Sequence, residues 1–243
     1  MAAAAVLLLI PSARRNWNRR TLLVALSYAA TLILFVQANK LTTAAHAIFL
    51  QSTAPFYLLL AGPLLLREPA RRSDYALLAV AGLGMALFVL GGQAPARTAP
   101  DPRQGNVLAL ASGITWAATL AGLRWLSRHD AGGRQSMATV AAGNLAACLF
   151  CLPAAVPVAF SPADLAVIVY LGVFQIGMAY VFLTRGLGGV PALEGSLLLL
   201  AEPALNPLWA LLVHQERPSA AAVAGAGLIL TASLGHALLR RRG

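Results

Sequence analysis

Apolar runs of about twenty residues, separated by short stretches that carry most of the arginines, recur along the whole chain. A hydrocarbon core of ~30 Å is crossed by about 20 apolar helical residues. Eight runs meet that length: roughly 21–39, 44–66, 75–92, 105–126, 137–159, 164–184, 191–213 and 219–239. A ninth stretch, residues 1–12 (MAAAAVLLLIPS), is too short to span. A signal peptide would place positive charge ahead of its apolar region, and none precedes this one, so it reads as the tail of a spanning helix. The pattern predicts an all-α membrane protein, a polytopic helical bundle of eight full transmembrane helices plus an N-terminal partial helix.

The polar stretches set the orientation. With residues 13–20 on the cytoplasmic side, fourteen Lys and Arg fall inside and only four outside (Lys40, Arg97, Arg103 and Arg217). That distribution satisfies the positive-inside rule and places the C-terminus in the cytoplasm. It also explains the net charge of +10, because the arginines lie in short clusters between apolar runs and not along one face or tail, which argues against a nucleic-acid partner. Hydrophobic residues make up 59% of the chain and charged ones 11%, a balance that excludes an ordinary soluble domain. Cys148 and Cys151 stand in the apolar run NLAACLFCLP without polar neighbours, so they read as small hydrophobes and not as a redox or metal pair.

A shift of 148 residues brings the two halves into register. Pro55 falls on Pro203 and Glu68 on Glu216, in TAPFYLLLAGPLLLREP and AEPALNPLWALLVHQERP, with thirteen residues from Pro to Glu in both copies. Further on, VAGLGMAL at 80–87 matches VAGAGLIL at 223–230. The matched spans 44–66 and 191–213 are separated by an odd number of reversals, so they are expected to cross in opposite directions, an inverted-topology repeat. The Pro- and Gly-rich loop at 91–105 divides the halves, giving a first repeat at 1–92, an extracytoplasmic linker at 93–104 and a second repeat at 105–243. The runs TTAAHAIFLQSTAPFYLLLAGPLLLRE and VPALEGSLLLLAEPALNPLWALLVHQERPS resemble the two EamA-type repeats of the drug/metabolite transporter superfamily, and the resemblance covers nearly the whole chain. It implies ten helices with both ends cytoplasmic, of which this chain would lack the first and about half of the second. The small residue usual before the repeat-end glutamate is Arg67 in one copy and Gln215 in the other.

Candidate site residues are the polar groups at membrane depth. Glu202 leads, because a carboxylate in mid-span costs roughly 2.5–3.5 kcal/mol on insertion scales and must be held by something. Pro203 and Pro207 beside it lack N–H groups and break the helix, freeing carbonyls to which a protonated Glu202 can donate or that can line a cavity. Its copy in the first half is Ala54, with Gln51 nearby. The same shift pairs His46 with Glu194, which read either as polar gates at two mouths of one cavity or as groups at the headgroup level. Asn206, Asn144, Gln175, Tyr180 and Trp116 are the remaining mid-span candidates, since a small-molecule cavity wants a few polar groups among apolar walls. Glu68 and Glu216 end their spans before Pro69 and Pro218 and are expected to cap the helix that follows. Gly82, Gly84, Gly225 and Gly227 are expected to permit close helix approach, and Trp17 and Trp125 to anchor at the interface.

Secondary transport of a small metabolite or drug across the cytoplasmic membrane is the first functional reading, with export implied by the resemblance. Its partners would be the substrate, the bilayer and a coupling proton carried by Glu202. No cofactor or metal is expected, and no G-x-x-x-x-G-K-[ST] loop for ATP occurs. An intramembrane enzyme would need H-E-x-x-H, G-x-S-x-G or paired aspartates at depth, none of which is present. A non-transporting relative of the same fold is the other alternative.

Overall fold

The computed structural model describes residues 2–15, 17–90, 99–130, 134–155, 161–205 and 220–241, and among these the fold is helical with no strand. The helices are α1 Ala2–Leu8, α2 Pro11–Arg14, α3 Arg19–Leu41, α4 Ala44–Gln51, α5 Ala54–Ala61, α6 Arg72–Leu90, α7 Pro102–His129, α8 Arg134–Ala155, α9 Pro162–Tyr170, α10 Ala179–Gly189, α11 Ala192–Leu199 and α12 Ala220–Arg241. Five segments of the described residues are long and apolar enough to cross a membrane: Arg19–Leu41, His46–Leu66, Pro102–His129, Arg134–Ala155 and Pro162–Gly189. The runs expected at 75–92 and 219–239 appear as α6 and α12, and the run at 191–213 is described as far as 205.

Polar side chains start these helices where the sequence leaves N–H groups open. Asn18 Oδ1 accepts from Thr21 N at 2.9 Å to open α3, Thr43 Oγ1 from His46 N at 3.3 Å to open α4, and Asp101 Oδ1 from Gln104 N at 3.0 Å to open α7. Ser161 and Asp164 form a reciprocal capping box at α9. Asp74 Oδ2 accepts from Arg71 N at 2.8 Å at the start of α6. Each such cap is worth ~1 kcal/mol.

Two spans are broken in a matching way. Pro55 has no N–H to give to Gln51, and the chain turns at Ser52 and Thr53, whose hydroxyls donate to Ile48 O and Leu50 O at 2.7 and 2.6 Å. In the second half the helix α11 breaks at Leu200, three residues before Pro203, and residues 201–205 resume it. The first span then widens into a π-helical turn, Gly62–Leu66, and ends on Arg67 in the left-handed region (φ 53°, ψ 37°). A second π-helical segment, Leu171–Met178, joins α9 to α10.

The chain packs as two compact units, Met1–Ile33 with Ala118–Val190, and Leu34–Ala117 with Pro191–Gly243. In the first unit, α1 lies on the π segment, where a Cβ at Gly172 would come within 2.7 Å of the Ala2 Cβ. Gly122 sits equally close on Val24, and Gly143 on the Tyr28 ring and the Ala25 carbonyl oxygen. The second unit is built on α6 against α12, with Leu78, Ala81, Ile229 and Ala232 buried. Gly84 presses against the Gly225 carbonyl, where a Cβ would lie 2.6 Å from the oxygen, while the same test at Gly227 meets nothing within 4 Å. Small residues thus let helices touch at Gly84, and Gly82 lies against Phe56, but Gly227 plays no such part.

Candidate functional site

Eight carboxylates occur in the chain, and most are committed to structure. Asp74, Asp101 and Asp164 cap helices as described, and Asp130 Oδ2 accepts from Gln135 N at 2.7 Å at the start of α8. Glu68 also caps. Its Oε2 accepts from Ala192 N at 3.0 Å and so holds the start of α11, whereas Asp74 serves α6. Left-handed Arg67 turns the chain after the π turn, with Glu68 N bonded back to Gly62 O at 3.3 Å. Glu194 and Glu202 remain as candidates, and Glu216 lies outside the described residues.

In the first unit the structure gathers a polar cluster inside apolar helices. Asn144 on α8 is buried, and its amide donates to Val140 O at 2.9 Å and to the Tyr28 hydroxyl at 3.2 Å, which uses both of its donors. Tyr28 on α3 is fully buried. Its ring meets that of Tyr180 edge-on, with centroids 4.9 Å apart, and a side-chain hydrogen bond joins the two phenols. One turn further along α3, Thr31 Oγ1 donates to Ser27 O at 2.9 Å and lies 3.5 Å from Thr119 Oγ1 on α7, which in turn reaches Ser27 Oγ at 3.3 Å. Burying such groups unpaired costs roughly 2–7 kcal/mol each against hydrocarbon-like surroundings, so a cluster that pairs them is a considered departure from a plain lipid-filled core. It carries hydroxyls, phenols and one carboxamide, and no formal charge.

Of the residues singled out in the sequence, Asn144 and Tyr180 therefore each meet Tyr28, which stands between them. Gln175 lies exposed on the π segment and does not join them. In the second unit, His46 is half-buried at the start of α4, its Nδ1 2.7 Å from Thr43 Oγ1. Gln51 and Trp116 are half-buried, at the break after α4 and on α7. Glu194 is half-buried in the first turn of α11, and Glu202 is exposed two residues past the break at Leu200. Asn206 lies outside the described residues.

Sequence reasoning passed over Ser27, Tyr28, Thr31 and Thr119. Hydroxyl groups give little warning in a membrane helix because each can bond a carbonyl one turn back, as Thr31 does. The S-Y-x-x-T spacing on one helical face was the available signal. It also passed over a buried pair in the second unit, His236 Nδ1 and Asp74 Oδ1, 3.4 Å apart with both side chains 1% exposed. That pair ties the start of α6 to the last turns of α12. Among the described residues no group of three or more His, Cys, Asp and Glu converges on a metal-sized site.

Long apolar helices, broken at prolines, define a multi-pass membrane protein. The EamA-like transporter family model matches residues 103–237, more than half of the sequence, and the chain belongs to that family, within the drug/metabolite transporter superfamily. This membership points to a transporter rather than an enzyme. A solved crystal structure of a protein shares the fold at a TM-score of 0.77 and 20% identity, over 99% of this chain and 85% of that one. No curated protein matches the sequence.

Proposed function

We propose that the protein is a secondary transporter of small metabolites or drugs in the cytoplasmic membrane, exporting them by alternating access between two inverted repeats, with its C-terminus in the cytoplasm. The observation that carries this reading is the Tyr28–Asn144–Tyr180 cluster, an uncharged hydrogen-bonding surface buried in helices that are otherwise apolar. A solute that offers planar edges and hydrogen-bonding groups can exchange partners with the phenols and the amide at little desolvation cost. Asn144 and Tyr180 are assigned to substrate binding in the first unit. In the second, Gln51, His46, Glu194, Trp116 and Glu202 remain candidate contacts, with Asn206 beside them in sequence.

The helix breaks at Ser52 and Leu200, 148 residues apart, support the repeat, because the same shift aligns Pro55 with Pro203. Rocking of one repeat against the other is the mechanism such folds favour, with broken helices supplying the polar backbone at depth. Glu202 is the candidate for carrying a coupling proton, as an exposed carboxyl just past a helix break. The test is counterflow in proteoliposomes loaded with labelled amino acids, nucleosides or cationic drugs. Saturable exchange of at least one class is expected, reduced in Glu202→Gln; absence of exchange across the panel contradicts transport, and unchanged exchange in the variant removes Glu202 from the site.

A further inference from the structure

At one end of the first unit the chain gathers cations. Segments 11–20 (PSARRNWNRR) and 123–136 (LRWLSRHDAGGRQS) hold seven arginines and one acid, Asp130. Side chains bring the two segments together: Asn18 Nδ2 donates to Gln135 Oε1 at 3.4 Å, and the Arg20 guanidinium lies 5.1 Å from the centre of the Trp125 ring. Asp130 is already engaged, with Gln135 N at 2.7 Å and with Arg134 at 3.5 Å. Arg14, Arg15, Arg19 and Arg20 are all exposed, so the patch presents net positive charge at its surface.

Two further features set the depth and the kind of ligand. Trp17 is 43% exposed, its Nε1 donating to Ala13 O at 2.8 Å, and Trp125 is held between Arg20 and the edge of His129. Indoles favour the headgroup level of a bilayer, where phosphates lie. Directly below the arginines on α3, Leu22, Leu23 and Leu26 are exposed by 44%, 68% and 61%, an apolar strip suited to acyl chains. A soluble phosphate would have no use for that strip. We propose that this end binds anionic phospholipids, with Arg15, Arg19 and Arg20 on the headgroup phosphate, Trp17 and Trp125 as interfacial anchors, and the α3 leucines along the acyl chain. Guanidinium forks suit phosphate oxygens geometrically as well as by charge.

The experiment is native mass spectrometry of the full chain in neutral detergent, titrated with phosphatidylglycerol or with phosphatidylcholine. Phosphatidylglycerol should bind about tenfold or more tightly than phosphatidylcholine, and the ratio should fall about fivefold for each arginine removed, following the attraction of basic residues to anionic surfaces. Arg15→Gln/Arg19→Gln should therefore lose the preference, and Arg71→Gln/Arg72→Gln, in the other unit, should keep it. Unchanged circular dichroism separates that loss from unfolding; should the pair fail to fold, Arg15→Gln alone reads the same effect. Equal binding of the two lipids, equal loss in both variant pairs, or displacement of phosphatidylglycerol by millimolar inorganic phosphate overturns the proposal.

Discussion

Gly143→Ala adds one methyl group at the point where α8 touches α3, and the surroundings decide its effect. The new Cβ would overlap the edge of the Tyr28 ring and lie 2.9 Å from the Ala25 carbonyl oxygen. The oxygen belongs to the backbone of a helix and cannot swing aside, so the ring must move or the helices must part. Overpacking of this kind costs about 1–3 kcal/mol, against ~1 kcal/mol gained from replacing a helical glycine by alanine. The balance is a loss of up to about 2 kcal/mol, together with displacement of the phenol that Asn144 donates to at 3.2 Å. Gly227→Ala is the control, because a methyl there meets nothing within 4 Å and only the helical gain of ~1 kcal/mol remains. Thermal unfolding in detergent, followed by circular dichroism, should come at lower temperature for Gly143→Ala than for Gly227→Ala, and solute exchange should fall only in Gly143→Ala. Stability of Gly143→Ala equal to or above that of Gly227→Ala would refute the packing argument.

Other substitutions test the remaining contacts. Asp74→Ala should cost about 3–5 kcal/mol, because it leaves His236 without its carboxylate in a buried site, and Asp74→Leu/His236→Leu should recover most of it; an effect below ~1 kcal/mol in an unfolding titration would count against the pair. Glu68→Ala should cost about 0.5–2 kcal/mol through the lost cap on Ala192, with faster hydrogen exchange at the start of α11 as the local sign. Arg67→Gly should stabilise by roughly 1 kcal/mol, since glycine takes the left-handed conformation without strain. Unchanged melting of that variant would mean that the turn is not strained by its arginine.

The helices were legible because bilayer thickness imposes one length on every span, and run length alone located α3, α6, α7, α8 and α12 within a few residues. The breaks were legible at Pro55 and Pro203, because a missing N–H is a local property of the sequence. The π segment at Leu171–Met178 left no such mark: it depends on glycines at 172 and 177 meeting α1, a contact between distant parts of the chain. The same limit applies to the polar groups. Asn144 and Tyr180 stood out by residue type, but Tyr28, which joins them, looked like one more aromatic until α3 was laid against α8. Glu68 illustrates the converse, its capping role following from residue type and its partner, Ala192, from tertiary structure.

The central claim is that solute meets the phenol–amide cluster of the first unit on its way through the membrane. Counterflow by reconstituted Asn144→Leu, compared with the unmodified chain at equal protein density and equal thermal stability, tests it most directly. The account predicts saturable exchange in the unmodified chain and its loss, or a rise in KM of tenfold or more, in the variant. Exchange with unaltered kinetics in Asn144→Leu would contradict it.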